Sequence, residues 1–221
     1  MQLWATSYFV PTVHAVGEDG VPLLDVSGAP LGPRLSLEDW CDAAMEGSVH
    51  VVDATSGERE TFNYASSGAR AQVSCQARYP RHPAIAKSRF RRARGPYGDG
   101  VDGLILVPYR TIAVDPSVIP VGSMMYVPAA RGASIRLPNG EERVHDGYFF
   151  AADRGGAIRG NHVDVFSGIE PAPALPFVQS RETATFDAYH VLDPDTEALF
   201  LRAHGAVLER APLVSESLGR E

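Results

Sequence analysis

The stretch YFFAADRGGAIRGNHVDVF, residues 148–166, decides how the chain is read. It begins with the apolar run Tyr148 to Ala152 and ends with His162 to Phe166, and three glycines stand among the six residues Gly155 to Gly160 between them. Runs of β-branched and aromatic residues parted by glycines read as strands joined by a sharply shaped loop, because glycine permits backbone conformations and close approaches that side chains forbid. Each end of that loop carries an aspartate, Asp153 and Asp164. Alternation along the second run sends Val163 and Val165 to one face and His162, Asp164 and Phe166 to the other. A carboxylate on a strand among apolar neighbours is where a raised pKa, and general-acid work near neutral pH, becomes accessible. The plainer alternative is that each aspartate accepts backbone N–H bonds at its turn.

Upstream, Leu104 to Val107, Thr111 to Val114 and Met124 to Val127 are further short apolar runs set off by Gly, Pro and Asn. Together with the two already quoted they make five closely spaced strands, which suggests a small barrel. Asn139-Gly140 inside Ile135 to Val144 is a two-residue hairpin signal and marks a protruding ribbon. Downstream, Phe186 to Leu192 reads as a strand, and Asp193-Pro194 starts a helix to about His204 with proline at its first position.

Toward the beginning, Leu3 to Val10 reads as a strand stopped by Pro11, and the Gly/Pro-rich connection Gly17 to Pro33 shows no usable periodicity. Ser36 with Asp39 looks like a capping box that opens a helix to Glu46, ended by Gly47. Val49 to Val52 and Glu60 to Tyr64 read as strands around the turn Thr55-Ser56-Gly57. The stretch Arg78 to Arg94 holds seven basic residues and no acidic one. Its prolines make it a loop or irregular excursion, solvated by default; its charge also suits gripping carboxylates.

The 221 residues are 44% hydrophobic and carry 21 Gly and 17 Pro, which suits one or two β-rich cores with many tight turns. A formal charge of -7 disfavours nucleic acid and anionic membranes as partners. There is no membrane-spanning window and no recognisable secretory signal at the start. Two cysteines, Cys41 and Cys75, can pair or remain buried thiols, and nothing in their spacing suggests zinc. No metal and no cofactor is expected.

The segment Thr111-Ile112-Ala113-Val114-Asp115-Pro116-Ser117-Val118-Ile119-Pro120-Val121-Gly122-Ser123, followed by Met125 to Pro128 and then Asp153 through Phe166, resembles the 3D domain, named for its three aspartates. That domain forms the catalytic double-psi β-barrel of membrane-bound lytic transglycosylase A and of stationary-phase muralytic proteins. Thr6 to Pro11 is similar to the strand that lines the transglycosylase's glycan groove. The resemblance therefore implies a mainly β chain: a six-stranded double-psi β-barrel with an additional β-rich insertion or subdomain and a few short helices. Residues 1–16 would supply the first strand or strands of the barrel, 17–100 the insertion with one helix, 101–192 the barrel core, and 193–221 a C-terminal helix and tail.

The three aspartates fall on Asp115, Asp153 and Asp164. The resemblance implies Asp164 as the single catalytic acid/base and Asp153, eleven positions earlier, as its essential neighbour. Thr6, Tyr8, Asp115, Gly155, Gly156, Ala157, Arg159 and His162 are the expected substrate-binding residues. Two departures stand out: Arg154 replaces the family's Thr, and Arg159 its Lys. The implied reaction is cleavage of peptidoglycan glycan strands between MurNAc and GlcNAc with formation of 1,6-anhydroMurNAc, by a monomer in the cell envelope, periplasmic or secreted. The double-psi barrel also occurs in expansins, so a non-catalytic wall-polysaccharide binding module is the alternative, followed by a water-using muramidase.

Overall fold

The computed structural model describes residues 1–205. The C-terminal tail expected after His204 lies almost entirely outside the described residues. In chain order the strands are β1 (Gln2–Tyr8), β2 (Thr12–His14), β3 (Val21–Leu24), β4 (Pro30–Leu35), β5 (Ser48–Val52), β6 (Arg59–Ser67), β7 (Ser88–Arg92) and β8 (Thr111–Ala113). They continue with β9 (Met124–Tyr126), β10 (Ser134–Arg136), β11 (Glu142–Val144), β12 (Tyr148–Asp153), β13 (His162–Phe166), β14 (Phe186–Asp187) and β15 (Tyr189–His190). Two α-helices, α1 (Leu37–Glu46) and α2 (Pro194–Ala203), complete a mainly β architecture.

The principal sheet has seven strands in the order β14-β1-β13-β8-β12-β9-β15. β1 runs parallel to β13 and β8 parallel to β12; the other neighbours are antiparallel. The expected six-stranded closed barrel appears as this seven-stranded ladder, with no closed hydrogen-bond ring among the described residues. Its two edge strands are nonetheless consecutive in the chain, separated by Ala188 alone, so the sheet curls until its edges meet. At that seam the Ala188 amide donates to the Met1 carbonyl, and the Met1 amino group donates to the Ala188 carbonyl.

Period-two alternation then sorts side chains. Leu3, Ala5, Ile112, Met125, Phe149, Ala151, Val163 and Val165 form one buried cluster. Met124, Phe150 and Ala152, on the opposite face, pack with Leu104 and with Phe200 of α2. Each large side chain buried this way contributes roughly 1.5–3 kcal/mol. His204 fastens α2 to β8: its Nδ1 bonds the Phe200 carbonyl at 2.8 Å and its Nε2 meets the Thr111 hydroxyl at 3.1 Å. Burial pushes the pKa of this imidazole down to about 4, so it bonds as a neutral ring.

Between β1 and β8 the chain builds a four-stranded sheet, β2-β5-β6-β7, and the hairpin β3-β4. β2 pairs with β5, so the chain leaves the principal sheet directly after β1. Helix α1 packs Trp40, Cys41, Ala43 and Ala44 into a core with Phe62 and Phe90. Its caps are those read from the sequence: the Ser36 hydroxyl accepts from the Asp39 amide at 3.0 Å, and Gly47 closes it in the left-handed region at φ 80°. Cys41 and Cys75 form a disulfide.

Several expectations are corrected here. Gly17 to Pro33, without periodicity in sequence, contains a hairpin whose turn is made by Asp25, its carboxylate accepting from the Ser27 and Ala29 amides. Prolines 22 and 30 are tolerated because the ribbon has only two strands and therefore only edges. The basic stretch contains β7, where Ser88 and Phe90 turn inward and Arg91 and Arg92 outward. Leu104 to Val107 forms no ladder, only a bridge between Ile105 and Asp99. Phe186 to Leu192 is broken at Ala188 into β14 and β15.

Candidate active site

The parallel pairing of β1 with β13 builds the site. Its register sets Trp4 against His162, Thr6 against Asp164 and Tyr8 against Phe166. The Thr6 hydroxyl donates to Asp164 Oδ1 at 2.7 Å and lies 2.9 Å from His162 Nε2. Thr6 thereby links the His162 imidazole to the Asp164 carboxyl. Trp4 stacks on the imidazole at 3.6 Å between centroids, the two ring planes 5° from parallel, and fixes its plane.

Asp153, at the end of β12, lies beside this strand pair. Its Oδ2 accepts from the Tyr8 hydroxyl at 2.8 Å and its Oδ1 from the Arg154 amide at 2.8 Å. Both its oxygens are therefore occupied. Asp164 differs: its Oδ2 has no protein partner among the described residues and is not among the buried unpartnered atoms, so solvent reaches it.

Burial raises both carboxyls. Asp153 is pushed up to about 6, chiefly by desolvation and further by repulsion from Asp164, against the lowering pull of Tyr8 and the Arg154 amide. Asp164 is raised by desolvation and lowered by Thr6. Burial beside these two carboxyls also drives the Tyr8 phenol upward, so it stays a donor. A folded pKa above the unfolded value, about 3.9, means that the stability Asp153 contributes is full below pH 4 and is lost as pH rises through 6. Urea unfolding at both pH values should therefore show the wild type losing about 2–3 kcal/mol relative to Asp153→Asn between pH 4 and pH 6. A constant difference between the two proteins would contradict the burial of this carboxyl.

The third aspartate has a different surrounding. Asp115 Oδ2 accepts from the Gly160 amide at 2.8 Å, while Oδ1 takes the Ser117 amide and hydroxyl. These donors pull its pKa down to about 2, so it clasps the glycine loop as a permanent anion. Within that loop Gly155 is demanded by close approach, since a Cβ would stand 2.7 Å from Ile158, and Gly160 by its φ of 60°. Gly156 and Ala157 are exposed, and a Cβ at Gly156 would meet nothing. Arg159 is exposed and bonds the Ile158 carbonyl; Arg154 is exposed as well.

Thr6, Tyr8, Asp153, His162 and Asp164 thus come together on one face, while Asp115 and Arg159 lie at the loop's outer side. Trp4 was missed in the sequence; its signal was the i, i+2, i+4 series Trp4, Thr6, Tyr8 on a strand. Glu46 was also missed: at the end of α1, it has its carboxyl raised by burial, by Asp42 and by Asp164. The basic stretch is largely used in folding, with Arg78 paired to Glu38 and Asp42, Arg92 to Glu60, and Arg91 to the buried Asp99. Among the described residues no group of three or more His, Cys, Asp or Glu could hold a metal ion, and no helix is long and apolar enough to cross a membrane.

Residues 110–174, which contain all three aspartates, match the 3D domain family. The fold is similar to that of MltA from Neisseria gonorrhoeae, with a TM-score of 0.51 at 15% identity over 76% of this chain and 67% of that one. MltA from Escherichia coli, described as having a unique lytic transglycosylase fold, gives a TM-score of 0.45 at 20% identity over 77% of this chain and 65% of that one. The same protein with bound chitohexaose gives 0.49 at 19% identity, over 77% and 66%. The chain thus spans about 65% of the length of the first solved structures it matches. No curated protein matches the sequence.

Proposed function

We propose that the chain is a lytic transglycosylase that cuts peptidoglycan glycan strands in the cell envelope, with the curled sheet serving as a double-psi β-barrel. The single observation that carries this reading is Asp164, a half-buried carboxyl with one oxygen fixed by Thr6 and the other open. Most glycosidases need two carboxylates, one acting as acid and one as base or nucleophile. A lytic transglycosylase uses no water, because the C6 hydroxyl of the muramic acid attacks its own C1, so one carboxyl suffices.

Asp164, protonated on Oδ2, gives its proton to the bridging oxygen as the C1–O bond breaks. It then takes the C6 hydroxyl proton while the new C1–O6 bond closes the 1,6-anhydro ring, and it ends protonated as it began. Asp153 touches neither atom. Held by Tyr8 and the Arg154 amide, it is the second carboxyl of the pair, itself pushed up to about 6 by burial and by the neighbouring Asp164. Thr6, His162 and Trp4 keep Oδ1 occupied, so Oδ2 is the oxygen that exchanges protons. Gly155, Gly156 and Ala157 leave room for a sugar ring beside it, with Arg159 and Asp115 at the loop's far side.

Mass spectrometry of digested sacculi tests the reading. Anhydromuropeptides are expected; reducing-end products would mean a muramidase, and intact sacculi that retain the protein would mean a binding module. A finer test is Thr6→Val, which keeps the shape but removes the bond that stabilises ionised Asp164. The Asp164 pKa should then rise and carry the alkaline limb of the pH–rate profile to higher pH. An unshifted limb would show that Thr6 does not act through Asp164.

A further inference from the structure

A cavity of about 540 Å³ opens on the side of the four-stranded sheet that faces away from α1, lined by His50, Arg59, Glu60, Arg92, Arg94 and Tyr97 among others. None of its lining residues belongs to the carboxylate pair. It shares Pro138 and Ile169 with a neighbouring cavity of about 420 Å³ beside the β10–β11 ribbon, so the two adjoin along a groove-like surface. Tyr97 packs in a cluster with Tyr8 and Phe166, which places one flank of the groove beside the candidate active site.

His50 is 5% exposed, yet its Nε2 is buried without a partner. Its tautomer follows from its neighbour. The Thr61 hydroxyl donates to the Pro96 carbonyl at 2.7 Å, so at 2.8 Å from His50 Nδ1 it can only accept. Nδ1 therefore carries the proton, and Nε2 of the neutral ring is a bare acceptor waiting for an O–H or N–H. Burial and Arg59 both keep this imidazole neutral.

The charge around it is positive in a chain that is negative overall. Arg92 is balanced by Glu60, but Arg59 has no ion-pair partner among the described residues. Arg94 donates to the Gly103 carbonyl and lies 3.9 Å from Asp99, which Arg91 already neutralises, so its charge is left over. A buried acceptor next to uncompensated guanidinium groups is a recognition pattern for a donor and an anion held side by side.

We propose that this cavity binds a carboxylate flanked by an amide or hydroxyl donor, with His50 Nε2 receiving the donor and Arg59 and Arg94 the anion. Resting on the function proposed above, the ligand is the acidic part of a muropeptide, either a free lactyl carboxylate or a stem-peptide carboxylate. The groove then sets which strands, denuded or peptide-bearing, are cut.

The test is the long-range ¹H–¹⁵N spectrum of the His50 ring, titrated with three sugars. N-acetylmuramic acid offers a free lactyl carboxylate and muramyl dipeptide a peptide carboxylate, each with amide donors; N-acetylglucosamine offers the amide and hydroxyls but no carboxylate. One of the acidic sugars should move the Nε2 resonance to saturation, naming the source, while N-acetylglucosamine leaves it in place. Arg59→Ala, at an exposed position, should weaken that binding about tenfold. An Nε2 that no sugar moves, as with a permanently bound water, overturns the proposal, as does an equal response to N-acetylglucosamine or an unaffected Arg59→Ala. Asp164→Asn keeps the two readings separable. Titration without anhydromuropeptide release from the wild type sinks the catalytic reading alone; release without titration sinks this site alone.

Discussion

Asp164→Asn should end the release of anhydromuropeptides from sacculi, lowering turnover by roughly 10²–10⁴-fold, the usual contribution of a positioned general acid. The fold should survive the change. Asparagine offers Thr6 the same acceptor at Oδ1, and its amide replaces the oxygen that has no protein partner. The expected readout is therefore loss of activity with an unchanged melting temperature. Full activity in the variant would remove Asp164 from the reaction; a collapsed melting curve would show that it holds the structure instead. Asp153→Asn makes a useful contrast, since Asp153 is held at both oxygens and should affect the pH profile as well as the rate.

The largest effect on stability is expected from the disulfide. Cys41 sits in α1, and Cys75 lies 34 residues later in an excursion whose only regular element is the single 3₁₀ turn Pro83–Lys87. Closing a loop of that length constrains the unfolded chain by about 3–4 kcal/mol, so Cys41→Ala with Cys75→Ala should lose about that much in urea unfolding. The polar ties between this excursion and α1 are the ion pairs of Arg78 with Asp42 and Glu38, and the bond from the Tyr79 hydroxyl to Asp42 at 2.8 Å. Those side chains are largely exposed or at a half-open edge and replace little of the loss. A difference below about 1 kcal/mol would mean that these contacts, and not the covalent link, hold the excursion to the helix.

What was legible in the sequence was whatever local chemistry dictates. The capping pair Ser36 and Asp39 with Gly47, the Asn139-Gly140 turn and the glycine loop between β12 and β13 each report backbone demands that a few adjacent residues must meet. The hairpin β3-β4 and strand β7 were hidden because their residues, Pro22, Pro30 and the arginines around Phe90, are poor strand formers that only sheet pairing makes acceptable. At the site, the pairing of Asp153 with Asp164 was suggested by the glycine loop between them and by family likeness. Trp4 and Glu46 were not, because stacking on His162 depends on the parallel register of β1 with β13, and nearness to Asp164 on how α1 is placed. The orphaned nitrogen of His50 depends on where the Thr61 proton goes, a question that arises only in three dimensions.

The pairing of Thr6 with Asp164 spans 158 residues of chain. A contact so distant in sequence forms late, because the entropy of closing the intervening loop must be met before the ladder rewards it. The four-stranded sheet, built from nearer neighbours, can assemble while the ribosome is still making the rest. The acid at the centre of the proposed reaction acquires its partner only once strand β13 has been made, so the pairing the reaction depends on is absent from any shorter piece of this chain.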